Sequence, residues 1–378
     1  MIDFRYHLVS IVAVFLALAV GIVLGSTELQ GPALGALETT SDSLRSQLSA
    51  TSAERDSYQA QSTAAEQFLQ TAEPVLLDGR LAGQRVVLIT EPGASSGVTG
   101  GVRQALATAN ATVTGQIDLQ PKFSDISGAT QSSLGAINGS IASRDGITLT
   151  PGADARTADQ QQAAQLIATA IMASTTDNSN NGGGGSAHGL SGSGGGTSGG
   201  GASGSGSGTG GGSGGSGSGT LSPASVHTLL SAYAQEGYLT VSGAPARATL
   251  AVVVVPDNPP PGGQNDPVNQ VLLVTAQEFA SASAAAVAAG STAGSAQSGS
   301  SISVLRSSSA SAKMSTVDNA DTTLGQISAV EALAAQLAGR KPDSYGVSGA
   351  SAVSPDPLPS QIATSAPPQP GQTGKGKK

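Results

Sequence analysis

The sequence opens on an uncharged apolar stretch, Leu8 to Leu24 (LVSIVAVFLALAVGIVL), at the short end of what crosses a bilayer as a helix. Phe4 and Tyr6 stand at its start, where aromatic rings suit the membrane interface. Arg5 precedes it, while Glu28, Glu38 and Asp42 follow, a weak positive-inside signal that Asp3 weakens further. The pattern predicts a single membrane anchor with a cytoplasmic N-terminus. A cleaved signal peptide is the alternative, with Val23-Leu24-Gly25 before Ser26 as its cleavage site. The barely basic start and the lack of Ala-x-Ala after the apolar run favour the uncleaved anchor. Ala13, Ala17, Gly21 and Gly25 recur every fourth residue, a small-residue stripe of the kind that lets two helices approach closely in lipid.

Beyond the anchor the apolar positions repeat every seventh residue. Leu37, Leu44, Thr51, Tyr58, Ala65 and Ala72 make one seam; Leu34, Ser41, Leu48, Arg55, Ser62 and Leu69 make the other. Neither Gly nor Pro interrupts 36–73, and Pro74 is expected to end the run. The stretch reads as a homo-oligomeric coiled-coil stalk whose seam is mediocre, because Ser, Thr and Arg take core positions. A single helix folding back on the following domain is the alternative.

From Arg85 the period changes. Arg85–Thr90 (RVVLIT) is a short, continuous β-branched run, as in a strand buried on both faces. A Gly-rich turn follows, then a helix with Val102, Ala105, Leu106 and Ala109 on one face, then a strand at Thr112–Ile117. Strand, helix, strand at this spacing predicts a βαβ unit and a parallel sheet. Thr249–Val255 (TLAVVVV) and Gln270–Thr275 (QVLLVT) read as further strands, and Ile302–Leu305 as a weaker one. Between them, Ala163, Leu166, Ile167 and Ala170 make one helical face, and Val226, Leu229, Leu230 and Tyr233 another. A last helix is capped by Asp321 or Thr322, presents Leu324, Ile327, Val330, Ala334 and Leu337, and stops at Gly339, with Pro342 beyond.

Composition adds the unfolded parts. Residues 182–219 are mostly Gly, with Ser and Thr, and cannot bury apolar surface; they read as a disordered insertion within the domain. The Pro-rich end, closing on Lys-Gly-Lys-Lys, reads as a disordered tail. The predicted organisation is a cytoplasmic N-terminus (1–7), a transmembrane helix (8–25), a coiled-coil helix (29–73), an extracytoplasmic α/β domain with a mainly parallel sheet (80–349) and a disordered tail (350–378). The localisation that follows is the plasma membrane, single-pass. A formal net charge of −8, with charged residues at 11%, argues against a nucleic-acid partner, which needs clustered Lys and Arg. Without Cys there is no disulfide framework, thiolate metal site or Cys nucleophile.

Three candidate sites remain. Gly93, Gly97, Gly100 and Gly101 follow the first strand, and Asp118 lies further on, an arrangement akin to a dinucleotide-binding turn. The spacing is G-x-x-x-G-x-x-G, however, and an ordinary strand-to-helix loop fits better. A Ser-His-acid triad would have to use His227, and no G-x-S-x-G accompanies it. Asp318, Asn319 and Asp321 cluster before the last helix, either as a helix cap with an Asx-turn or as a site for a polar ligand or partner.

The opening FRYHLVSIVAVFLALAVGIVLGS, the weak coiled coil, and STVDNADTTLGQISAVEALAAQLAGRKPDSYG together resemble the actinobacterial copper transport proteins. The pieces most specific to the resemblance are Ser315, Thr316, Asp318 and Asn319, with Gly325, Tyr345 and Gly346. The resemblance implies a non-enzymatic cell-envelope protein linked to copper homeostasis or efflux. It also implies an outer-membrane channel form, and copper as cargo with no other cofactor. Its partners would be the membrane, copies of itself, and other envelope proteins. The residues themselves offer little for tight copper binding: three His and three Met lie far apart, with no M-x-x-M or H-x-H, so no metal ligands are assigned. Nor do the strands show the alternating segments of a membrane barrel. A scaffolding envelope protein without a copper role is the second reading, and a nucleotide-binding enzyme the third.

Overall fold

The computed structural model describes residues 4–173, 221–245 and 247–355. The Gly/Ser-rich stretch 182–219 and most of the tail expected from 350 lie outside the described residues. Contacts divide the chain into two units, Met1–Phe68 and Leu69–Lys378.

The first helix, α1, spans Phe4–Leu77. Its segment Arg5–Gly25 has a mean hydropathy of 2.9 and buries none of its surface within the chain, so it is long and apolar enough to cross a membrane. Further along, Leu37, Leu44, Leu48 and Tyr58 are exposed. Pro74 does not end the helix. A proline forfeits its own N–H bond, but its carbonyl still accepts, here from the Asp78 amide at 3.1 Å, and the chain turns only at Gly79, whose φ of +70° suits glycine.

Within the second unit the elements follow in order: β1 (Arg85–Thr90), α2 (Ser96–Thr108), β2 (Thr112–Leu119), α3 (Gly128–Asp145), α4 (Ala158–Ile171), α5 (Pro223–Gln235), β3 (Leu239–Gly243) and β4 (Leu250–Val254). Then come α6 (Pro267–Ala282), β5 (Ala285–Ala289), α7 (Thr292–Ser295), α8 (Ser301–Arg306), β6 (Ser315–Val317), α9 (Thr323–Leu337) and β7 (Ser344–Tyr345). The strands form one sheet in the order β3-β2-β1-β4-β5-β6-β7, parallel except for the β2–β3 pair. The fold class is as the sequence predicts: an apolar N-terminal helix, a helical region, and an α/β domain with a mainly parallel sheet.

Strand alternation sends side chains to two cores. Val87, Ile89, Ala251, Val253, Ala286 and Ala288 face the core closed by α3, α4, α5, α6 and α8. Val86, Leu88, Leu250, Val252, Val254, Val287 and Val317 face the other, closed by Leu77, α2 and α9. This is why β4 and β5, buried on both faces, carry no polar residue.

Two expected strands are helices. Gln270–Thr275 lies inside α6, where Pro267 occupies the first turn and the Asp266 side chain accepts from the Val268 amide at 3.0 Å. Val271, Leu272, Thr275, Ala276, Phe279 and Ala280 are buried, a helical stripe whose middle looks continuous through a six-residue window. Ile302–Leu305 lies in α8, started by Ser300, whose side chain accepts from the Ser303 amide. The strand beside β4 is instead β5, AAVAA, five buried residues. The last helix is capped by Thr322, which accepts from the Gly325 amide at 3.1 Å, and Gly339 follows it at φ +83°.

Candidate functional site

The residues singled out around β6 lie along it, Ser315 at its amino end and Asp318 and Asn319 just past its carboxyl end beside Tyr345 and Gly346. Ser315 Oγ accepts from Gln336 Nε2 at 2.9 Å and from the Asp343 amide at 3.2 Å. Thr316 Oγ1 accepts from Arg306 Nε at 2.9 Å. Asp318 is wholly buried, takes the Val347 and Ser348 amides at 2.7 and 2.8 Å, and pairs with Arg306 Nη1 at 3.1 Å. Arg306 Nη2 in turn donates to the Tyr345 carbonyl at 2.9 Å. A buried carboxylate is tolerable here because two amides and a guanidinium replace its water.

The glycines of this region mark close approaches. A Cβ on Gly325 would overlap the Asn319 carbonyl, and one on Gly346, which has φ +128°, would overlap the Asp318 carboxylate. Asn319 Nδ2 reaches Thr322 Oγ1 at 3.4 Å, while its buried Oδ1 has no hydrogen-bond partner. Asp321 Oδ1 lies apart from this knot and accepts from the Thr292 amide at 2.7 Å. Ser351 and Gly346 close the far side by donating to the Ser344 and Ala352 carbonyls at 2.9 Å. Arg306 is the residue that sequence reading missed; its isolation in a Ser-rich stretch gives no pattern to find it by.

A second place lies at the carboxyl ends of β1 and β2. Gly93, Gly100 and Asp118 line one cavity of about 510 Å³ with Glu91 and Arg103. Gly97 sits in the first turn of α2, and Gly101 packs against Gln326 of α9. Asp118 Oδ1 accepts from Thr90 Oγ1 and Gln116 Nε2, and Gln116 Oε1 accepts from Arg103. Glu91, the residue after β1, is only 3% exposed, and neither of its oxygens has a hydrogen-bond partner. Burial alone pushes its carboxyl up to about 8. The signal that could have found it is an acid ending a continuous apolar strand, RVVLIT-E, with Pro-Gly behind it.

Elsewhere, His227 lines an apolar cavity between α5 and β3 with Val226, Leu230 and Val241. Among the described residues no group of three or more His, Cys, Asp or Glu is placed to hold a metal ion. Arg80 Nε lies 2.9 Å from the buried Glu331 of α9, whose carboxyl is pushed up to about 7 by burial, partly offset by that guanidinium.

Against known proteins, the family described as copper transport outer membrane protein, MctB, matches residues 1–355. The copper transporters MctB of Mycobacterium tuberculosis and Mycobacterium bovis are each 32% identical over 130 residues, 34% of this chain and 41% of theirs. The chain thus spans about two fifths of the length of these relatives in the aligned region.

Proposed function

From the premise that the chain belongs to the copper transport outer membrane protein family, we propose that it limits cellular copper as a membrane-anchored, homo-oligomeric envelope protein. The observation that carries this reading is the family match across residues 1–355, which takes in the anchor segment and the α/β domain alike. The family is one of transport proteins, and no catalytic residue is assigned.

Arg5–Gly25 serves as the anchor, with the N-terminus in the cytoplasm and the α/β domain outside. Copies associate through Ala13, Ala17, Gly21 and Gly25, where no neighbouring atom lies within 4 Å of the space a Cβ on either glycine would take. The exposed Leu37, Leu44 and Leu48 share one helix face and favour the same partner, a second copy. Copper is cargo. With no Cys and no ligand cluster among the described residues, its path is built between copies or with other envelope proteins. Ser315, Thr316, Asp318, Asn319, Gly325, Tyr345 and Gly346 set the shape of the β6–β7 corner, which is the surface such proteins meet.

The same scarcity of ligands favours a second reading, a scaffold that organises envelope partners with no part in copper handling. Growth in graded copper separates the two. Deleting the gene should lower the copper concentration that stops growth, and the full chain should restore it. Equal tolerance with and without the chain leaves the scaffold.

A further inference from the structure

One edge of the sheet is covered and the other is not. At β7 the chain closes its own edge: the Ser351 amide donates to the Ser344 carbonyl and the Gly346 amide to the Ala352 carbonyl, both at 2.9 Å. At the opposite edge β3 pairs only with β2. Gln120 donates to the Tyr238 carbonyl and Ala244 to the Thr114 carbonyl, so the even-numbered residues of the strand bond β2. By alternation the amides and carbonyls of Leu239, Val241 and Gly243 point away from it. Leu239 is wholly buried, but Val241 is half-buried and Gly243 exposed, and among the described residues neither amide has a bonding partner. Sheet edges are normally protected by a charge, a proline or a bulge. LTVSG carries none of these, and Pro245 comes only after it ends.

Beside this edge runs a groove of about 510 Å³ between α5 and β3, with Val226, Leu230, Ala234 and Val241 in its walls. Gly243 lines it too and leaves it without a side chain at that point. Unmade backbone bonds next to an apolar groove suit the addition of another extended strand. The ends of β3 indicate which strand. Glu236, half its side chain exposed and with Lys122 at 3.7 Å, stands before it; the exposed Arg247 stands after it. A copy of β3 laid antiparallel brings each Arg247 toward the other copy's Glu236, whereas a parallel copy sets like charges together.

We infer that two copies of the chain join their sheets through β3, antiparallel, about a two-fold axis at Ser242. Val241 of each copy stands opposite Gly243 of the other, a hydrogen-bonded pair that uses both amides and both carbonyls of each free edge. The Val241 side chain then enters the other copy's groove over Gly243. The inference rests on the homo-oligomeric part of the proposed function, and it adds a surface separate from the anchor and the stalk.

Disulfide trapping in the Cys-free full chain, in detergent with oxidised glutathione, tests the register. On the axis, Ser242 faces Ser242 of the second copy as a non-hydrogen-bonded pair, with Cα atoms about 4.5 Å apart and within disulfide reach. Thr240, exposed on the same face, stands about 14 Å from Thr240 of the second copy, beyond that reach. Ser242→Cys should therefore give a covalent dimer at least about tenfold faster than Thr240→Cys. Adding Val241→Lys should bring the Ser242→Cys rate down to that of Thr240→Cys. The comparison of the two Cys variants changes only exposed side chains and stands even if Val241→Lys fails to fold. Equal rates for the two overturn the inference and leave the groove to an extended segment of another protein. So does a Ser242→Cys rate left unchanged by Val241→Lys when the urea midpoint shows a folded domain. Ala17→Cys, trapped in parallel, reports on the anchor. A dimer there with none at Ser242 keeps the homo-oligomer and rejects this surface alone; no dimer at either position rejects both.

Discussion

Glu91 should make the α/β domain less stable as the pH rises, and Glu91→Gln should remove that loss. In the unfolded chain the carboxyl gives up its proton near the ordinary 4.5; in the fold, burial without a partner holds it to about 8. The folded state therefore binds more protons between these values, and stability falls with pH across that window. Below about pH 4.5 the group imposes no ionisation penalty. Above about pH 8 the loss is complete, and at about 1.4 kcal/mol per pH unit it amounts to about 5 kcal/mol. Glutamine keeps the shape and does not titrate. Urea unfolding of both full-length proteins in detergent, read by the fluorescence of Tyr233, Tyr238 and Tyr345, measures the difference; all three tyrosines are buried in the domain. The two should have similar midpoints at pH 4.5, and the variant should be more stable by several kcal/mol at pH 8.5. Parallel midpoints across the range would refute the reasoning, because a solvated or partnered Glu91 would have no such window. Contributions from other groups, Glu331 among them, cancel in the comparison.

Other outcomes follow from the same contacts. Arg80→Met leaves Glu331 buried without its cation and should cost about 3 kcal/mol at pH 8, and less at pH 5 where Glu331 is protonated; urea midpoints at the two pH values check this. Asp318→Ala removes the acceptor for two amides and the partner of Arg306. It should cost about 3–5 kcal/mol and speed hydrogen exchange at Val347 and Ser348. Gly325→Ala forces a methyl group into the Asn319 carbonyl and should lower the urea midpoint by more than the equally simple Gly100→Ala, where space is open. In the Cys-free chain, a single Ala17→Cys should cross-link copies in the membrane, and adding Gly21→Ile should lower their association about tenfold.

What the sequence reveals is uneven for physical reasons. RVVLIT and TLAVVVV are legible because buried parallel strands need continuous β-branched runs. The last helix is legible because cap, apolar stripe and terminal glycine agree. QVLLVT misleads because two turns of a helix buried on most sides look like a strand; only the Asp266-Pro267 start and the recurrence at Phe279 and Ala280 tell them apart. AAVAA hides because alanine has little strand preference, and it pairs there because small residues fit between β4 and β6. STV and SY are too short for any period to show. The acidic cluster before α9 was visible, but its partner Arg306 was not, since pairing across β6 is set by the fold. Glu91 was passed over because one acid after a strand is unremarkable until its burial is known.

Cellular copper content, measured by elemental mass spectrometry in a deletion strain and in the strain with the full chain restored, tests the central claim most directly. The account predicts excess copper without the chain and a return to the parental level when it is supplied. Unchanged copper across a range of medium concentrations would contradict it.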